Sequence, residues 1–364
     1  MLTLIFAAIF VLLFSIWWYL GTLTPKKFPP GPFRYPVIGS LFFMYEICEV
    51  FKENTLIHAI FKNVDRYGKV FGFYMGNQPF VVVADYDILK EVLKDEAICH
   101  RQDMTPINEY RPGYWTVGEE NKGSQPGVSF SQGPYWKEQR RFLLRNLRDF
   151  GFGKSEMEDT LLDEVDKLCN EYSKLEGKEV CLDNTMNLSI INALWAILTG
   201  EKLPLHDPKL LKIVSKFTAT VKHVKGIGNL FLSLTPPQLM RLELTKKNSG
   251  LNTWDDAVKN MTAFLEEQVK QHKATIDEDS SRDMMDLFLK EIEKTTDVES
   301  SFYQERGHFA MINGFMDLFV AGMETTSSSL LWTFLYMLHH PDIKQKVHYE
   351  LDKVTFKNSV LKYA

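Results

Sequence analysis

The sequence predicts a mainly α protein with one small β-sheet, carried behind an N-terminal transmembrane helix. Three observations predict it. Residues 2–20 are apolar apart from Thr3 and Ser15, and as a helix they span roughly 28 Å at 1.5 Å per residue, close to the thickness of a bilayer core. One segment, residues 69–84, carries β-branched and aromatic residues on both sides of a turn-like Gly76-Asn77-Gln78-Pro79. Most of the chain beyond residue 85 has the periodicity of helix, over 86–93, 135–149, 155–175, 185–198, 207–224, 254–275, 282–294, 309–339 and 342–354.

Taken in order, residues 1–25 read as an uncleaved membrane anchor. A cleavable signal peptide wants a basic start, a shorter apolar run and a small-residue cut site, and none is present. The first charges, Lys26 and Lys27, keep the downstream body on the cytoplasmic side. The sequons Asn187-Leu188-Ser189 and Asn260-Met261-Thr262 would then be silent. Residues 26–33 include Phe28-Pro29-Pro30-Gly31-Pro32, whose prolines fix the backbone and remove donors, so the anchor helix ends there. Such a connector either orients the body against the membrane or simply links to it. Residues 34–354 read as one body, with loop composition at 277–282 and 294–301, no internal repeat and no second boundary. Residues 355–364 form a divergent tail.

With 364 residues, 45% hydrophobic and 24% charged, the chain is long enough and apolar enough to bury a large core. A net charge of -5 and a pI near 6.0 give no global attraction to nucleic acid. Cys48, Cys99, Cys169 and Cys181 are scattered, without a C-x-x-C pair or histidines at zinc-finger spacing, so neither a disulfide framework nor a metal site is expected.

The chemistry shows in the helix over 309–339, which is apolar around much of its girth yet contains Asp317, Glu324, Thr325 and Thr326. Acidic groups there are costly unless paired, hydrated or functional, and they make a second membrane span a poor fit. Asp317, Ala321, Glu324, Thr325 and Ser328 fall at i, i+4, i+7, i+8 and i+11, on one stripe. Gly322 lacks a Cβ and admits close approach to the backbone, and hydroxyl back-bonding beside it could open the helix locally. An acid, an alcohol and a gap suit a proton relay.

The segment Ala321-Gly322-Met323-Glu324-Thr325-Thr326 resembles the A/G-G-x-D/E-T-T/S motif of the oxygen-side helix in the cytochrome P450 family, the haem-thiolate monooxygenases. Gly127-Val128-Ser129-Phe130-Ser131-Gln132-Gly133 followed by Trp136 and Arg140 is similar to that family's W-x-x-x-R helix in its microsomal family-2 form. Trp136 and Arg140 are i and i+4 neighbours, a donor pair suited to a haem propionate; in general such a pair is more often a packed indole beside a solvated guanidinium. Arg101 is similar to a basic residue that also reaches a propionate. The proline hinge, the hairpin and His340-Pro341-Asp342 sit in the family's order, so the resemblance covers residues 28–354.

That resemblance implies a P450 fold binding haem, at the endoplasmic reticulum membrane and facing the cytosol. The reaction implied is insertion of one oxygen atom of O2 into an apolar small molecule, with electrons from NADPH through a reductase. Thr325 and Glu324 would supply the proton, with Ala321 and Gly322 beside them. Arg141, Arg145 and Arg148, at i, i+4 and i+7, form a basic stripe that suits an acidic reductase face or is merely solvated. Residues 103–126 match the variable substrate-contacting loop. Residues 228–234 resemble a segment that dips into the membrane, or else form a buried connector.

One part of the pattern does not appear. None of the four cysteines lies in an F-x-x-G-x-R/H-x-C-x-G loop, and the E-x-x-R at Glu138–Arg141 falls in the Trp136 helix. The chain reads as a P450 stopping short of the haem-ligating cysteine and the fold's proximal part. The expectation is a monooxygenase sequence inactive as written; the alternative is a truncated, non-catalytic membrane protein able to engage membrane or reductase.

Overall fold

The computed structural model describes residues 2–40, 56–101, 110–114, 126–175, 177–179, 182–204, 207–223, 242–243, 246–247 and 250–355. Of the expected substrate-contacting loop 103–126, residues 103–109 and 115–125 lie outside the described residues, as do 228–234, all of the tail 355–364 but residue 355, and Cys48 and Cys181. The described chain is mainly helical with a two-stranded sheet. It divides into two compact units, one of residues 1–115, 130–133 and 219–258, the other of 116–129, 134–218 and 259–364.

The first unit begins with α1 (Leu2–Thr22), a helix of 21 residues. Among the residues whose side chains are described, no helix is long and apolar enough to cross a membrane. In α1 those side chains begin at Ile5 and omit 7–8, while the backbone is helical throughout. After α2 (Leu56–Tyr67), strands β1 (Val70–Met75) and β2 (Gln78–Val83) form the predicted hairpin, succeeded by α3 (Tyr86–Val92). Met75 pairs with Gln78 across a two-residue loop whose Gly76 has φ 60°. That closing pair is hydrogen-bonded, so Tyr74 opposite Pro79 falls at a non-bonded pair, where the missing proline donor costs nothing. The strand therefore starts two residues earlier than its turn-like sequence suggests.

The hairpin core is Phe71 and Phe73, packed by Ile60, Val64 and Tyr67 of α2 and by Phe80 and Val82. The proline connector lies along β1: the Gly72 N–H donates to Pro30 O at 2.9 Å. A Cβ on Gly31 would sit 1.7 Å from Gly72 O, and one on Gly72 would strike the Phe28 ring, so each glycine admits the other's strand. At the end of α1, Gly21 admits Pro36, and Trp18 meets the Tyr35 ring edge-on at 6.4 Å.

The second unit is helical. It comprises α4 (Gly133–Asp149, from Pro134), α5 (Ser155–Ser173), α6 (Leu182–Thr199), most of α7 (Pro208–His223), the C-terminal part of α8 (Leu251–Thr275), α9 (Met284–Lys294), α10 (Gln304–His339) and α11 (Pro341–Thr355). Helix α10, 36 residues or roughly 54 Å long, is the axis. It packs on α6 and α9, and α5 packs on α6. Trp195 of α6, fully buried, stacks on Phe264 at 5.1 Å and meets Phe319 of α10 edge-on at 6.2 Å. Phe142, Phe288 and Phe302 have ring centroids 4.8–5.3 Å apart, and Phe315 adds an edge to Phe288. Helix α10 starts five residues before the predicted position. Tyr303 offers no side-chain cap and Gln304 has φ 44°, so the usual start signal is missing from the sequence.

Candidate functional site

Helix α10 is buried from Gly307 to Phe319 on most sides, and after that its buried residues are Met323 and Ser327. Those two, i and i+4, face inward: Ser327 donates to the side-chain carbonyl of the buried Asn187 on α6. Asn187 is the first sequon asparagine, and at 1% exposure its amide is out of reach of any modifying enzyme. The opposite turn positions, Ala321 and Thr325, are exposed in mid-helix.

Thr325 donates its hydroxyl to Ala321 O at 2.7 Å, Ser329 to Thr325 O at 2.8 Å, and Thr333 to Ser329 O at 2.8 Å. Three successive back-bonds thus run along one face of an unbroken helix. The Thr325 hydroxyl spends its hydrogen on Ala321 and presents its lone pairs outward; to donate elsewhere it must rotate off that carbonyl. Glu324 is half-buried beside it.

The stripe predicted from spacing divides into three environments. Asp317, 6% exposed, turns its carboxylate to the segment before α4, where Oδ2 accepts the backbone N–H groups of Val128 and Ser129 at 2.8 and 2.9 Å. Ala321, Gly322 and Thr326 line an apolar cavity of about 590 Å³ with Leu161 and Val165 of α5 and Leu194 of α6. A Cβ on Gly322 would stand 3.2 Å from Leu194 Cδ2, so this glycine serves close approach of α6. Thr325 stays on the open face.

On α4, the Arg140 guanidinium lies 5.6 Å from the Trp136 ring centre, with Trp136 half-buried and Arg140 exposed. Burial of Leu143 and Leu147 sets the face of α4 that turns inward and leaves Arg140, Arg141, Arg145 and Arg148 outward. Glu138 accepts from Ser300 Oγ at 2.8 Å and from the Ser301 N–H at 2.7 Å, so the glutamate of this E-x-x-R ties α4 to the lead-in of α10. Arg141 and Arg145 line a cleft of about 880 Å³ with Phe142 and Lys290. Arg101 is exposed and belongs to the first unit. The structure therefore brings Trp136 to Arg140 and Thr325 to Ala321.

Two polar centres escape a reading by sequence alone. Spacing makes Asp317 a relay member because its partners lie 188 and 189 residues away in sequence. Among the described residues, His272, Asp283 and Asp286 have metal-like spacing and are all buried. A signal for part of that group exists: Asp283 ahead of an apolar run, with Asp286 three residues on, is a helix-start pattern, and Asp283 caps α9.

A sequence model of the family described as Cytochrome P450 matches residues 29–364. The chain belongs to the cytochrome P450 family. Relatives place it with the family-2 type. Mouse (Mus musculus) cytochrome P450 2D10 is 32% identical over 356 residues, covering 96% of this chain and 65% of that protein. Rabbit (Oryctolagus cuniculus) cytochrome P450 2B4 is 30% identical over 333 residues, 90% of this chain and 62% of that protein. Mouse cytochrome P450 2J5 is 30% identical over 334 residues, 91% of this chain and 61% of that protein. The chain thus spans less than two thirds of the length of these P450s. A mainly helical body with a small two-stranded sheet is consistent with the P450 fold.

Proposed function

We propose that the chain serves a haem-dependent monooxygenase that inserts one oxygen atom of O2 into an apolar small molecule. The observation carrying this reading is the open mid-helix face of α10 in a P450 family member: Ala321 and Thr325 are exposed where a flat group would lie, and the Thr325 hydroxyl is held on Ala321 O. The donor set on α4 fits the same group, since Arg140 is an exposed cation steadied on an indole and presents hydrogens suited to a carboxylate. Trp136 and Arg140 would hold a haem propionate. Haem, when bound, supplies O2 activation with electrons drawn from NADPH through a reductase.

The chain's own residues bind, orient and move a proton. Rotation of Thr325 off Ala321 O turns its hydroxyl hydrogen toward the open face. Glu324, half-buried on the adjacent position, would restore that proton from solvent through water, a general-acid arrangement of the kind contributing about 10²–10⁴ in rate. Ala321 and Gly322 keep this turn free of bulk. Helix α1 anchors the body in the endoplasmic reticulum membrane with the remainder in the cytosol; its exposed side chains include Phe6, Phe10, Val11 and Leu12. Arg141, Arg145 and Arg148 offer a reductase a basic face.

Haemin titration of the detergent-solubilised full chain tests this reading. Arg140→Ala and Trp136→Phe are expected to weaken haemin affinity about tenfold, as loss of a charge-assisted bond would. Unchanged affinity in both variants would remove the propionate assignment. A second reading, a membrane protein that engages bilayer or reductase without turnover, rests on the exposed basic side chains Arg141, Arg145 and Arg148 of α4. The reduced carbon monoxide difference spectrum separates the two, because a thiolate-type Soret band rejects the second.

A further inference from the structure

The turn joining α8 to α9 is tied by a buried polar cluster. His272, 5% exposed on the last turn of α8, places Nδ1 2.8 Å from Gln268 O and Nε2 3.0 Å from Asp283 Oδ2. Asp283, 2% exposed, caps α9 by accepting the Asp286 N–H through its other oxygen at 2.9 Å. Asp286, fully buried, takes the Arg282 fork on both oxygens, at 2.7 and 2.8 Å, and the Arg282 backbone N–H at 3.1 Å. Arg282 also reaches back to Thr275 Oγ1 at 3.0 Å.

Both atoms facing the His272 ring are oxygens with no hydrogen to give, a backbone carbonyl and an ionised carboxylate. Both ring nitrogens must therefore donate, which only the imidazolium does. A neutral ring would leave a lone pair against an oxygen at 3.0 Å or less in a dry site. Charge agrees: His272 and Arg282 positive against Asp283 and Asp286 negative leaves the cluster neutral, and removing the proton leaves it one charge short. A divalent cation held by His272, Asp283 and Asp286 would replace that proton, overshoot neutrality and compete with an arginine fork already on both Asp286 oxygens.

We infer that the proton on His272 is the pin of a pH-operated clamp that closes the 276–283 turn onto the end of α8 and releases it when that proton is lost. The groups facing the ring are Asp283 and Asp286 from α9, with Arg282 behind Asp286. From α8 it is the Gln268 carbonyl, and at the end of α6 a Cβ on Gly200 would stand 3.0 Å from Asp283 Oδ2. Desolvation, the largest single influence, works against the charged ring; the bonds to Asp283 and Gln268 and the charges of Asp283 and Asp286 together outweigh it and raise the His272 pKa above the usual histidine value. For a raised group the stabilisation is complete below the unfolded value, near 6.5, and is lost as pH rises through the folded value. Release would unseat the α9 cap and free the acidic run Asp277-Glu278-Asp279.

The test is amide hydrogen exchange of the full chain in detergent from about pH 6 to 9.5, corrected for intrinsic rates, comparing residues 272–286 with the buried stretch 309–319 of α10. Protection of 272–286 is expected to fall by up to about tenfold for each pH unit between the unfolded value and the raised folded value and to level off above the latter, while 309–319 holds. In His272→Gln, which keeps one bond and no charge, protection should be low and independent of pH. Flat protection in the parent chain, or an unchanged pH profile in the glutamine variant, overturns the proposal. So does added Zn²⁺ raising protection at alkaline pH, which would make the cluster a metal site. Should the variant fail to fold, ring ¹⁵N shifts of the parent chain decide: two protonated nitrogens at neutral pH support the clamp, and one bare nitrogen refutes it.

Discussion

Replacing Asp317 by alanine strands two backbone N–H groups that its Oδ2 accepts at 2.8 and 2.9 Å, in a place where the residue is 6% exposed. Hydrogen bonds to a charged acceptor contribute about 1.5–3 kcal/mol each, and stranded buried donors cost about as much, so the expected loss is about 3–5 kcal/mol. Asp317→Asn keeps a neutral oxygen in reach of the same two donors and should cost about 1–2 kcal/mol. Urea unfolding of the solubilised chain measures the totals. Exchange at the Val128 and Ser129 amides locates them, since both should lose protection in the alanine variant ahead of the rest of the chain. An alanine variant within about 1 kcal/mol of the parent, with both amides still protected, would refute the idea that this carboxylate holds the lead-in to α4.

Single contacts set the other outcomes. Gly31→Ala should lower stability by about 1–3 kcal/mol, because its Cβ would sit 1.7 Å from Gly72 O, and the loss should appear in exchange at the hairpin. Phe288→Ala, removing a fully buried ring that touches Phe142, Phe302 and Phe315, should cost about 3–5 kcal/mol in urea unfolding. Thr325→Val should change stability by less than about 0.5 kcal/mol, since its bond to Ala321 is exposed and local, so a larger loss would assign the hydroxyl a packing role. The Asp286 pKa is lowered: burial, the largest influence, opposes ionisation, and the Arg282 bonds and charge outweigh it. A lowered carboxyl stabilises above its unfolded value near 3.8 and loses that contribution as pH falls below it, so acid unfolding of Asp286→Asn should show a weaker dependence in that window.

Much of the helical order comes from periodicity and punctuation. Helices α4 and α9 end at Asp149 and Lys294 as their patterns indicate, and α9 begins one residue past its capping Asp283. Helix α2 is not among the predicted helices although Ile57, Ile60, Phe61 and Val64 stand at i, i+3, i+4 and i+7; it is 12 residues long and owes its place to Phe71 and Phe73, which belong to a different pattern. At the site, the sequence motif marks the right turn of α10 but not its division of labour. Spacing puts Asp317, Ala321 and Thr325 on one stripe, while the segment before α4 claims Asp317 and leaves Ala321 and Thr325 bonded to each other on the open face. The His272 cluster is hidden for the same reason: its residues come from the end of one helix and the start of the next, and only the closed turn joins them.

The paired glycines at 31 and 72 have a mechanical consequence. Gly31 lies directly against Gly72 of β1, and Pro36 sits on Gly21 at the foot of α1, so this path from helix to hairpin is closely packed at both ends. Tilting α1 would turn β1 with it, as a lever turns its fulcrum block. With α1 as the membrane anchor proposed above, a change in bilayer thickness would then be felt first at the sheet.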